Sequence, residues 1–63
     1  KMVSTAEVLE AIKGIDLPKS KSEIIKYAQS RNASKAVMDI LNKMPDQKFR
    51  SAADIVHAVG EIE

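Results

Sequence analysis

The stretch Ser20-Lys21-Ser22-Glu23-Ile24-Ile25 has two near copies in this chain: Ser4-Thr5-Ala6-Glu7-Val8-Leu9 and Ser51-Ala52-Ala53-Asp54-Ile55-Val56. Each writes a serine, two fillers, an acid and two aliphatic residues. A serine three positions ahead of an acid is the signature of a capping box. The hydroxyl accepts from the backbone N–H of the third helical residue, and that residue's carboxylate accepts from the serine N–H. In the third copy the acid is Asp54, one methylene shorter than glutamate, so its return bond is expected to be poorer. Val3 and Val8 bracket the first box where a hydrophobic staple would clamp the opening turn.

A common apolar spacing follows the three boxes: two aliphatics, a gap and two more. It runs Val8, Leu9, Ala11, Ile12, then Ile24, Ile25, Tyr27, Ala28, and again Ile55, Val56, Ala58, Val59. A fourth version, Val37, Met38, Ile40, Leu41, follows Ser34 with one residue less between cap and apolar pair. At 3.6 residues per turn these positions form one broad face of a helix. Strict alternation, which a half-buried strand requires, is absent. Gly14 and Asn32 suit left-handed helix endings, and Pro18 and Pro45 fall in connections, each favouring an extended residue before it. The expected helices are residues 5–13, 21–31, 35–43 and 52–60, with loops at 14–20, 32–34 and 44–51. Helices this short do not persist alone. The expected fold is therefore all-α, a compact bundle of four short helices in a single domain over residues 2–63, with the second and third helices forming a tight hairpin. Pro18 and Pro45 precede their serines by different spacings, so a shared helix-starting device explains the recurrence better than a duplication.

Composition narrows the function classes. The chain has 63 residues, 44% of them hydrophobic, with Tyr27 and Phe49 its only aromatics and no cysteine. The core must be aliphatic, and neither disulfides nor thiolate metal sites can staple it. Apolar runs are far shorter than the roughly 18 residues that span a bilayer, and no basic–apolar–small progression marks a secretion signal. The expected setting is the cytoplasm, without membrane contact. Lys1, ahead of Met2, reads as an added residue and is set aside. Net charge is +1 but unevenly spread: nine basic residues face four acidic ones between Lys13 and Arg50, a local net of +5. Glu7, Glu10, Asp54, Glu61 and Glu63 compensate at the two ends.

Beyond helix chemistry, a longer pattern is distinctive. Asp16-Leu17-Pro18 precedes Ser20-Lys21; Ala28 and Ala33 flank the second helix's end; Met44-Pro45-Asp46 leads to Phe49 and on to Ser51 and Asp54. In order and spacing this resembles the bacterial family catalogued as domain of unknown function 2795, over about residues 8–61. Met44 stands where that family usually has leucine, a volume-conserving exchange. The resemblance implies a small helical cytoplasmic domain and brings no catalytic residue, cofactor or ligand.

Candidate chemistry is sparse, so no enzymatic activity, catalytic residue, cofactor or metal is expected. His57, the sole histidine, lies off the apolar stripe, and its neighbours Asp54 and Glu61 make only an ordinary polar helix face. Asp16 and Asp46 are expected to bond turn backbone. The serines are engaged as caps, and Gly14 and Gly60 form no phosphate loop.

Two binding readings remain. The second and third helices have helix-turn-helix length, and Lys21, Lys26, Lys35 and Lys43 could meet phosphates. Against this, Asp39 repels phosphate, and Arg31 stands where that motif expects a hydrophobe. The preferred reading is a non-enzymatic interaction or adaptor module, binding an unidentified protein or a second copy. Its candidate apolar patch is Tyr27, Met38, Met44 and Phe49, with Ile25 and Val56 on the helix flanks.

If the capping boxes start the helices, Ser20→Ala destabilises the domain by about 1 kcal/mol. Urea unfolding of the variant measures this directly, and an unchanged midpoint would remove Ser20 from that role.

Overall fold

The computed structural model describes residues 3–62; Lys1, Met2 and Glu63, which include both ends of the expected domain, lie outside the described residues. Four helices are present: α1 Thr5–Ala11, α2 Lys21–Ser30, α3 Lys35–Asn42 and α4 Ala52–Ile62. Two short strands, β1 Lys19–Ser20 and β2 Lys48–Phe49, pair antiparallel with Lys19 opposite Phe49 and Ser20 opposite Lys48. The fold is thus mostly helical, broadly as the four-helix expectation has it, with this small ladder in addition. Two residues are too few to display a strand's alternation, so pattern reading passes over them. Within β2 the alternation is nevertheless real: Lys48 is exposed and Phe49 is buried.

The helix starts follow the serines. Ser4 and Ser20 form complete capping boxes with Glu7 and Glu23. Ser34 accepts from the Val37 N–H at 3.2 Å, with no acid to return the bond. At the fourth start the Asp54 N–H reaches the Ser51 hydroxyl at 3.4 Å. The Asp54 carboxylate, however, accepts from the Arg50 N–H at 3.0 Å rather than from Ser51. The shorter acid cannot curl back as glutamate does, and the chain leaving β2 presents the preceding N–H instead.

The helix ends shift from expectation by one or two residues. α1 stops at Ala11 and α2 at Ser30, with Ile12 and Arg31 as C-caps. α4 instead runs through Gly60 to Ile62, because no left-handed turn is imposed there. Gly14, at φ +85°, and Asn32, at φ 61°, do take left-handed conformations in the connections. The Leu17–Pro18 peptide is cis.

Packing sorts the helices into two pairs. α2 lies against α3, α1 lies against α4, and α3 contacts both members of the second pair. Between them lies a core of Val3, Val8, Ile12, Ile24, Leu41, Met44, Phe49, Ile55, Val59 and smaller neighbours. Val3 and Val8 are both in it, consistent with a staple. No polar or charged side chain is buried among the described residues.

Leu41 and Phe49 are both fully buried. Leu41→Ala is expected to cost about 2–5 kcal/mol and Phe49→Ala about 3–5 kcal/mol, enough to unfold a domain of this size. Thermal unfolding followed by circular dichroism tests both, and an unchanged midpoint in either would contradict its core placement.

Candidate interaction surfaces

The surface is built from what the core leaves outside, and this first reshapes the apolar patch. Met44 and Phe49 are buried. They cannot serve an external partner, because β2 turns Phe49 inward and the turn after α3 carries Met44 in with it. Tyr27 is half-buried, and its hydroxyl donates to the Lys13 carbonyl at 2.6 Å. That bond spends the polar end of Tyr27 on the turn that follows α1. A Cβ added at Gly14 would meet the same hydroxyl at 3.0 Å. Met38, Ile25 and Val56 are half-buried, and Met38 and Ile25 pack partly against the core. Among the described residues the one large hydrophobic side chain that is exposed is Leu9 on α1, at 38%. Sequence reading placed it in the helix's apolar pair; it sits at the outer edge of that broad face.

The candidate nucleic-acid contacts are also divided. Lys35 pairs with Asp39 at 3.2 Å along one face of α3. Lys21, Lys26 and Lys43 make no ion pair among the described residues. Arg31 folds back on α1, donating to the Glu10 carbonyl at 3.1 Å with its carboxylate 3.6 Å away. Its place on the apolar face of α2 is therefore explained by capping a neighbouring helix. α3 offers only eight residues, and its would-be reading face carries the Lys35–Asp39 pair.

Around the ladder, the Ser20 N–H donates to Glu23 at 2.8 Å. That bond, then the Ser20 hydroxyl, then the nearby charges of Lys19 and Lys48, hold the Glu23 carboxyl below its ordinary value despite some desolvation. Lys19 and Lys48 thus lie close to one carboxylate and form the basic rim of the ladder.

On α4, His57 lies 3.6 Å from Glu61, both well exposed. Together with Asp54, Pro45, Ala58 and Ile62 they line a groove of about 340 Å³. No group of three or more histidine, aspartate or glutamate side chains is placed to hold a metal ion among the described residues. Asp16 and Asp46 are exposed and form none of the turn hydrogen bonds expected of them among the described residues. A second groove, of about 420 Å³, lies between α1 and the α2–α3 turn and includes Glu10, Arg31 and Ala33. No described helix is long and apolar enough to cross a membrane.

The fold also rearranges the charge. α1 and α4, which come from opposite ends of the chain, carry Glu7, Glu10, Asp54 and Glu61 and no lysine or arginine. Because they pack together, the two acidic ends become one layer. The basic middle supplies the other helix pair and the loops.

A comparison with protein families matches residues 3–56 to one described as protein of unknown function (DUF2795). No curated protein and no solved structure matches.

The lowered pKa of Glu23 makes its capping bond acid-sensitive. A carboxyl depressed in the folded state stabilises fully above the ordinary carboxylate value, and that contribution fades as pH falls through the lowered one. Glu23→Gln should flatten this acid limb in urea unfolding at stepped pH. Equal slopes for variant and wild type would contradict the assignment.

Proposed function

This chain belongs to the family of proteins of unknown function DUF2795, and we propose that it acts as a non-enzymatic protein-interaction module. The observation that carries this reading is the sorting of charge by the fold: one helix pair bears four carboxylates and no lysine or arginine, while the other pair mixes Lys21, Lys26 and Lys35 with Glu23 and Asp39. A face of one sign favours encounter with a complementary, basic surface and discourages wrong partners. Ser4, Ser20, Ser34 and Ser51 are committed to capping, and the lone histidine stands well exposed beside Glu61, a disposition suited to recognition rather than to concerted acid–base chemistry. The docking face is the charged exterior with its few apolar edges, in place of the Met44 and Phe49 surface expected from sequence.

Nucleic-acid binding is the weaker reading. Arg31 and Lys35 are held by Glu10 and Asp39, which leaves Lys21, Lys26 and Lys43 as phosphate contacts on a short helix pair.

Affinity capture from the native cell extract, with mass spectrometry of what is held, separates the two readings when run beside an amide NMR titration with duplex DNA. A protein retained at low salt, released at high salt and lost from the double variant Glu10→Gln, Glu61→Lys is the expected result, with amide signals unmoved by DNA. Salt-sensitive DNA shifts at Lys21, Lys26, Lys35 and Lys43 would replace this reading with nucleic-acid binding.

A further inference from the structure

We draw no further inference here: the strongest candidate, the groove along α4 that sets Asp54, His57 and Glu61 beside Pro45, Ala58 and Ile62, carries nothing, because Glu61 already faces His57, the Asp54 carboxylate already accepts from the Arg50 N–H, and nothing in the structure shows what covers it.

Discussion

The ends of the helices are the constraint on which this structure depends. α1 has seven residues and α3 eight, and a helix leaves its first four N–H groups and last four carbonyls without internal partners. In elements so short, most of the backbone is terminus. The N-terminal half of the problem is met locally, by Ser4, Ser20, Ser34 and Ser51. At the C-terminal end of α1 the Ile12 and Lys13 N–H groups bond the Val8, Leu9 and Glu10 carbonyls, and α2 adds to them: the Arg31 guanidinium also bonds the Glu10 carbonyl, and the Tyr27 hydroxyl bonds that of Lys13 in the following turn. α2 and its C-cap therefore reinforce the end of α1 as well as packing within the domain. The same two side chains are thereby taken from any binding role.

The ladder ties the two long connections together by the same economy. Ser20 ends β1 and caps α2 at once, so strand, cap and helix follow without a spare residue. Opposite it, β2 sets Phe49 into the core while Lys48 stays out. With only two aromatics in the chain, placing the larger hydrophobic one at the centre matters more than any regular strand would. An aliphatic core of this size needs that volume to fill the space where both helix pairs meet.

Function is then a matter of the exterior. The core holds no polar side chain among the described residues, and Ser4, Ser20, Ser34, Ser51, Tyr27 and Arg31 are engaged at helix ends and turns. What remains is an arrangement of charge, and that arrangement is a product of the packing. Glu10 and Glu61 are far apart in sequence, near opposite ends of the chain, yet they share the α1–α4 layer.

The sequence by itself determined where helices begin, since a capping box lies within four residues and needs no distant partner. It determined the stripes that supply the core, because helical periodicity is local, and the left-handed turns at Gly14 and Asn32, because backbone sterics are too. It also carried the family, whose pattern spans most of the chain. Only the tertiary structure decided the β1–β2 pairing, since a two-residue strand has no period and its partner lies beyond two intervening helices. Tertiary structure alone also buried Met44 and Phe49, sent Arg31 to α1, left Leu9 outside, and joined two acidic ends into one layer. Each of those outcomes depends on which elements meet across the domain, and a pattern read along the chain contains the faces without saying which of them come together.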